Sequence, residues 1–346
     1  MARRGGLDRY DEDDIRVRPN PRGTRPRSKH RPEHAAAVDG VVTTVDRGRY
    51  GVHLDDGTDL TAVRARELGR AGVVVGDRVG VVGDTSGEDD ALGRIVRRDE
   101  RTTVLRRSAD DQDDTERVLV ANADTLVIVS ALADPPPRYG LIDRCLVAAL
   151  TAGLEPLLCL TKADLADPAE VISHYQVLDV PAVSLQRDRF DVDLDRLRDL
   201  LAGQVSVLVG HSGVGKSTLV NALVPGALRS TGVVSAIGKG RHTSSSAIAL
   251  PLPDDPEHGW VVDTPGVRSF GLAHVGPDDL LWAFPDLEDG AVTCPRGCAH
   301  LSAADGCTLD DWVAAGHSSP ARLEAFRRLA ESLAGSSTAG ARDSRT

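Results

Sequence analysis

Aromatic residues are scarce in this 346-residue chain: four Phe, four Tyr and three Trp make up 3% of it. With so few rings, aliphatic side chains must fill the cores, and a hydrophobic fraction of 41% supplies them. Long apolar runs are missing too. No stretch approaches the roughly 18 consecutive apolar residues of a bilayer span. Arg3 and Arg4 are not followed by the apolar segment of a secretory signal. A membrane association is therefore not expected, and the protein should be cytoplasmic. Cysteines number five, an odd count that suits no complete disulfide framework. Cys145 and Cys159 sit in apolar runs and read as core residues, whereas Cys294, Cys298 and Cys307 crowd together, which fits a metal in a reducing compartment.

A net positive charge is also lacking. The formal charge of −11 rules out a molecule that behaves as a polycation over its whole surface. The charge is unevenly spread, however: residues 1–37 hold ten Lys or Arg against six Asp or Glu, a balance of +4 that leaves −15 for the rest. Between Arg16 and Arg31 there are seven basic residues and no acidic one. This terminus is expected to be disordered when free, as a solvated tail or as an arm that contacts RNA.

The length calls for two or three packed units plus a tail. Residues 38–106 carry short Val-rich runs separated by turn signals such as Asp55-Asp56-Gly57, the pattern of a small β-barrel. An OB-like barrel and an SH3-like barrel both fit. The acidic stretch 109–116 reads as a linker or mobile loop, since it has little apolar surface to bury. Strands then alternate with helices from 125 to 209, the grammar of a parallel α/β sheet. Beyond residue 271 the chain turns polar and helical, with a last amphipathic helix at 320–333. The expected division is a basic tail 1–37, a barrel 38–106, an α/β domain 107–271, a helical domain 272–334 and a disordered tail 335–346.

Gly210-His211-Ser212-Gly213-Val214-Gly215-Lys216-Ser217 satisfies the full G-x-x-x-x-G-K-[ST] pattern between an apolar strand and the helix-like run that begins at Thr218. The glycines let backbone N–H groups turn around phosphates, Lys216 adds a point charge and the Ser217 hydroxyl can ligate Mg²⁺. Further along, Asp263-Thr264-Pro265-Gly266 ends a second apolar run; Asp263 can hold the Mg²⁺ shell and Gly266 can offer its amide to a γ-phosphate. Between them, Gly238-Lys239-Gly240-Arg241-His242-Thr243 has the glycines, cations and hydroxyl of a nucleotide-sensing loop. Thr243 is the candidate Mg²⁺ ligand there, although Ser244, Ser245 and Ser246 also offer hydroxyls.

Thr161-Lys162-Ala163-Asp164 resembles the N-K-x-D guanine signature, with Thr in place of Asn. Asp164 can accept from guanine N1–H and N2–H₂, a donor pair that adenine lacks. Lys162 would pack its stem along the base. A second strand end, Ser184-Leu185, stands where GTPases usually have Ser-Ala and offer a backbone N–H to guanine O6. Near the C-terminus Cys294, Cys298, His300 and Cys307 supply three thiolates and an imidazole within fourteen residues, a tetrahedral set for one structural Zn²⁺. His317 is a more distant substitute ligand.

With the guanine segment ahead of the phosphate loop, the order of these motifs resembles that of the circularly permuted GTPases. The chain is most similar to the small-ribosomal-subunit-dependent GTPase A family, over about residues 38–333, with further likeness in Asn122-Ala123-Asp124, Ile142-Asp143-Arg144 and Gly240-Arg241-His242-Thr243. The resemblance implies an N-terminal OB domain, a circularly permuted P-loop GTPase domain and a C-terminal α-helical zinc-binding domain. It also implies GTP and GDP as ligands, Mg²⁺ with the nucleotide, and stimulation by the small ribosomal subunit, whose late assembly such proteins serve and whose rRNA they contact. A monomer is expected. Val267 stands where many GTPases have a water-orienting glutamine, and valine cannot do that work; His242, beside Thr243, is the expected replacement, with Lys216 and Thr243 stabilising charge. Two rival readings are an ATP-using phosphotransferase on the same loop and an RNA-binding scaffold with little turnover.

Overall fold

Burial alternates along residues 38–98, and the chain there folds into β1 (Val38–Asp46), β2 (Arg49–Leu54), β3 (Asp59–Arg64), β4 (Arg78–Gly83) and β5 (Leu92–Arg98). The structure, a computed structural model, describes residues 36–68, 72–88, 90–110, 113–226, 247–264, 272 and 275–339. The basic tail as far as residue 35, the loop with His242 and Thr243, Gly266, Val267 and residues 340–346 lie outside the described residues. β1 pairs with both β2 and β4, β2 with β3, β3 with β5 in parallel, and β5 with β4. The sheet thus closes in the OB order, which decides between the two barrels that the sequence left open. Val42, Val52, Leu54, Val79, Val81 and Ile95 fill it, with Tyr50 as the one ring among its buried residues.

The backbone of the described part of the acidic stretch, residues 109–110 and 113–116, is not a loose linker. It forms the outer part of a hairpin, β6 (Val104–Asp110) and β7 (Asp113–Ala121), in which Ser108 opposes Glu116 and Asp110 opposes Asp113. Composition argued against order there, but Leu105 and Val120 at the base are buried in the main core, and the ladder extends outward from that anchor. The expected barrel limit at residue 106 falls inside β6; the barrel strands end at Arg98.

The α/β region contains β8 (Thr125–Ala131), β9 (Glu155–Thr161), β10 (Ala182–Ser184), β11 (Val205–Val209), β12 (Ile248–Leu252) and β13 (Asp255–Asp263). Its helices among the described residues are α1 (Tyr139–Thr151), α2 (Ala169–Gln176), α3 (Phe190–Leu201) and α4 (Lys216–Leu223). The strand order is β10-β9-β8-β11-β13-β12, parallel except for β12, and β12 continues into the barrel through Ile248 opposite Thr44 of β1. Every residue of β8 is buried, as a central parallel strand requires. Leu126 and Ile128 face one core with α1, while Val127 and Val129 face the other with α3 and α4. Cys145 and Cys159 are buried free thiols, as their apolar runs implied.

Among the described residues four α-helices follow: Pro277–Leu281, Pro285–Ala291, Leu309–Ala314 and Pro320–Ala339. The last runs past Leu333, where the amphipathic pattern stops, into the start of the expected tail. Its packed turns supply the costly nucleus, after which propagation is cheap. Arg322 on this helix donates to Asp286 Oδ1 at 2.9 Å, Asp179 Oδ2 at 2.8 Å and Val177 O at 3.1 Å, so it fastens the helical segment to the end of α2. Arg328 stands 3.4 Å from the buried Asp143 of α1. Burial pushes the Asp143 carboxyl up from its ordinary range, with Arg328 pulling the other way. No helix among the described residues is long and apolar enough to cross a membrane.

The barrel is held from its other end by Asp77, which is fully buried and accepts from Arg101 Nε at 2.7 Å, Arg101 Nη2 at 2.9 Å and Val74 N at 2.7 Å. Removing the arginine leaves a carboxylate without its countercharge. Arg101→Ala is expected to lower unfolding stability by about 3 kcal/mol, read as a drop in the denaturation midpoint, with Arg101→Lys losing less.

Candidate nucleotide-binding and metal sites

In a parallel sheet all strands deliver their C-terminal ends to one edge, and here β9, β10, β11 and β13 each end at or beside a candidate residue. β11 lies between β8, which precedes it in the chain, and β13, which follows. That reversal of direction opens a crevice of the kind in which α/β folds bind ligands. β11 runs into Gly210, where a Cβ would lie 2.5 Å from Val129 O, so only glycine lets the loop pass so close to β8. Gly213 and Gly215 have φ of +86° and +92°, the left-handed conformations that turn successive N–H groups inward. Lys216 opens α4 with Ser217 and Thr218 exposed in its first turn.

The Lys216 ammonium contacts Asp263 Oδ1 at the end of β13, and both side chains are largely buried. The ammonium can serve phosphate oxygens and the carboxylate a metal. Thr264 is fixed behind them: its hydroxyl donates to Leu208 O at 2.7 Å. Nothing in the sequence singled out that hydroxyl beyond its place in the Asp-Thr-Pro-Gly turn.

The base segment meets the phosphate loop directly. Thr161 Oγ1 donates to Val214 O at 2.7 Å, and the Lys162 ammonium donates to Gly213 O at 3.2 Å and to Asp134 O. Asp134 was missed in the sequence, because a backbone carbonyl acts there and any residue would supply it. Asp164 is exposed and has no side-chain partner among the described residues, which leaves its carboxylate open to a donor pair. Ser184 ends β10, and the amide of Leu185 is bonded to Leu160 O at 2.7 Å while Leu185 O accepts from Ala163 N at 3.1 Å. Leu185 thus braces the Thr161–Asp164 segment from both sides, and its N–H is already engaged rather than presented to guanine O6. His242, Thr243 and Gly266, lying outside the described residues, cannot be added to this geometry.

The ligand atoms of Cys294, Cys298, His300 and Cys307 all lie within 4.8 Å of one another. Cys307 Sγ is 3.9 Å from both Cys294 Sγ and His300 Nδ1. A zinc–sulfur bond of about 2.3 Å gives a tetrahedral edge of about 3.8 Å, so the four residues fit such an ion. His317 is not part of this group; its ring stacks on Trp312 at 3.8 Å. Asp278 Oδ1 is 3.1 Å from His300 Nε2 and so directs Nδ1 to the thiols, the usual orienting role of a carboxylate behind a ligating histidine. No local spacing pointed to Asp278, which lies on the helix Pro277–Leu281, well before the metal loop in sequence. Burial pushes the Cys307 thiol up to about 11. At Cys294 burial acts in the same sense, but hydrogen bonding with the Thr308 hydroxyl and from the Thr308 amide outweighs it and holds that thiol below its ordinary value.

The fold and these sites define a class: a circularly permuted P-loop GTPase with an OB barrel before it and a helical segment behind it that could bind a metal ion. The family model described as RsgA GTPase matches residues 98–273. The small ribosomal subunit biogenesis GTPase RsgA of Chlorobaculum tepidum is 35% identical over 316 residues, 86% of this chain and 98% of that one. The protein of the same name from Pseudomonas aeruginosa is 38% identical over 253 residues, 71% and 72% of the two chains. Among solved structures, YjeQ from Thermotoga maritima has a TM-score of 0.62 at 24% identity, covering 86% of this chain and 99% of that one. YloQ, a circularly permuted GTPase, has a TM-score of 0.59 at 21% identity, covering 88% and 98%. Those two likenesses establish the fold. The chain belongs to the RsgA GTPase family, which favours a GTPase over an ATP-using phosphotransferase.

The metal cluster yields a test. Because thiolates bind the ion and thiols do not, metal affinity is expected to fall as pH is lowered and protons return to the sulfurs. Elemental analysis should find about one tetrahedral metal per chain, and Cys307→Ser should lose most of it; an unchanged metal content would refute the ligand set.

Proposed function

We propose that the chain hydrolyses GTP and serves as a late maturation factor of the small ribosomal subunit, acting as a monomer whose turnover that subunit stimulates. The observation that carries this reading is the 35% identity along 98% of a relative named for small ribosomal subunit biogenesis. The convergence of phosphate loop, Asp263 and base segment on one sheet edge supports it.

In this reading Gly210, Ser212, Gly213, Val214 and Gly215 wrap the phosphates with backbone N–H groups, and Lys216 exchanges its Asp263 contact for phosphate oxygens. Ser217, Thr243 and Asp263 are the residues that would hold Mg²⁺, with Thr218 beside them at the α4 N-terminus. Mg²⁺ supplies neutralisation of charge on the β- and γ-phosphate oxygens. Asp164 accepts from the guanine edge, Lys162 covers the base and Ser184 closes that end. Gly266 offers its amide to the γ-phosphate, and His242 orients the attacking water, since Val267 cannot. Cys294, Cys298, His300 and Cys307 would hold one Zn²⁺, whose chemistry here is structural because four protein ligands leave no open position.

The proposed division is barrel, permuted GTPase domain and zinc-binding domain, with the first boundary moved from residue 106 to the end of β5. The barrel, the zinc-binding segment and the Arg-rich arm 1–37 are the parts that would meet rRNA, with the arm supplying the attraction to phosphate that residues 38–346, at a balance of −15, do not.

Phosphate release measured with purified small and large ribosomal subunits tests the assignment. Stimulation of at least about tenfold is expected with the small subunit alone, a lowering of the barrier by about 1.4 kcal/mol; equal rates with both subunits would sink the proposal. His242→Ala should keep GTP affinity within about twofold and lower kcat by about 100-fold, the lower end of what a positioned acid or base supplies.

A further inference from the structure

The base segment departs from the common guanine signature at one position, Thr161, and the structure shows what that residue's hydroxyl is doing. It is 8% exposed, and it donates to Val214 O across 53 positions of chain at 2.7 Å. A threonine hydroxyl carries a single proton. Here that proton is spent on the phosphate loop.

Guanine presents N7 as an acceptor, as adenine does. Two acceptors cannot bond, so the lone pairs left on Thr161 Oγ1 are of no use to N7. An asparagine at this position would bring two amide N–H groups, enough to serve both a loop carbonyl and a base nitrogen. Two neighbouring donors are committed as well: the Leu185 amide is on Leu160 O, and Lys162 is turned to Gly213 O and Asp134 O. The exposed carboxylate of Asp164 is the uncommitted acceptor of this segment among the described residues, and it faces the opposite need, the N1–H and N2–H₂ donors.

We infer that Thr161 is a positioning residue that ties the base segment to the phosphate loop, and that this protein leaves guanine N7 unread. The inference rests on the guanine site proposed above. It assigns specificity for guanine to Asp164 and assigns to Thr161 only the spacing between base and phosphates. A nucleotide altered at N7 should therefore be accepted, whereas a base lacking the N1–H and N2–H₂ donor pair should not.

The full-length protein with Mg²⁺ is titrated with GTP and with 7-deaza-GTP, in which a C–H replaces N7, each in competition with a fluorescent GDP. The expected dissociation constants agree within about twofold, where a lost hydrogen bond would cost about fivefold or more. Thr161→Val should weaken both nucleotides by the same factor, about fivefold, and Thr161→Ser should restore both. Thr161→Asn should acquire a preference for GTP over 7-deaza-GTP of about fivefold; its absence would overturn the proton-count argument.

A wild-type preference for GTP over 7-deaza-GTP of fivefold or more would overturn the inference. So would a Thr161→Val loss confined to GTP, since the hydroxyl would then be reading N7. The wild-type comparison needs no variant and decides the matter even if Thr161→Val fails to fold. ATP competition on the same samples separates the two levels: loss of GTP preference over ATP refutes the guanine site itself, whereas N7 dependence with that preference intact refutes only the role given to Thr161.

Discussion

A parallel sheet fixes where its strands end but not the order in which the chain visits them, and the permuted site depends on that freedom. The sheet order β10-β9-β8-β11-β13-β12 puts the phosphate-loop strand between two neighbours drawn from opposite sides of it in sequence. Each parallel strand still points its C-terminal end at the same edge, so the base segment reaches the phosphate loop although it precedes it by about fifty residues. Continuity of chain between the two is not needed. What replaces it is a pair of contacts, Thr161 to Val214 O and Lys162 to Gly213 O.

The same constraint explains where the neighbouring units attach. Near the opposite ends of the strands, Asp124 accepts from Val205 N at 2.8 Å and its carbonyl accepts from Glu155 N at 2.9 Å, which aligns the starts of β8, β9 and β11. Asn122, just before it, donates to Gly76 O at 2.9 Å and accepts from Thr102 N at 2.9 Å, so the barrel is pinned beside that edge. The Asn-Ala-Asp likeness seen in the sequence thus has a structural role: one residue anchors the barrel and the other the sheet.

The helical segment is fastened to the half of the sheet that carries the base segment. Arg322 reaches the end of α2, which follows Asp164, and Arg328 stands against Asp143 of α1. Arg327, between them, donates to His300 O at 3.1 Å and pairs with Asp310, so one helix holds both the metal loop and the α/β core. Asp278 links that metal loop to the helix Pro277–Leu281.

Motif spacing and the two hydrophobic periods determined much of this by themselves. Gly210 to Ser217 between a strand and a helix, Thr161 to Asp164 at a strand end, and three cysteines with a histidine are patterns in which backbone geometry or ligand chemistry needs those residues locally. Local sequence also sufficed for the alternation of β8 through α4, because each element buries a face that its own periodicity reveals. The tertiary structure alone decided the rest, since the deciding contacts join residues far apart in sequence. Barrel type required the β3–β5 and β1–β4 pairings, and order in the acidic hairpin required an anchored base. The Leu185 amide had to be found on Leu160 before its availability to a base could be judged. Asp134, Asp278 and Thr264 act through a carbonyl, an orienting carboxylate and a buried hydroxyl, none of which leaves a spacing to read. A sequence displays what a segment can do with its neighbours in the chain; only the folded sheet shows what Thr161 does with its one proton.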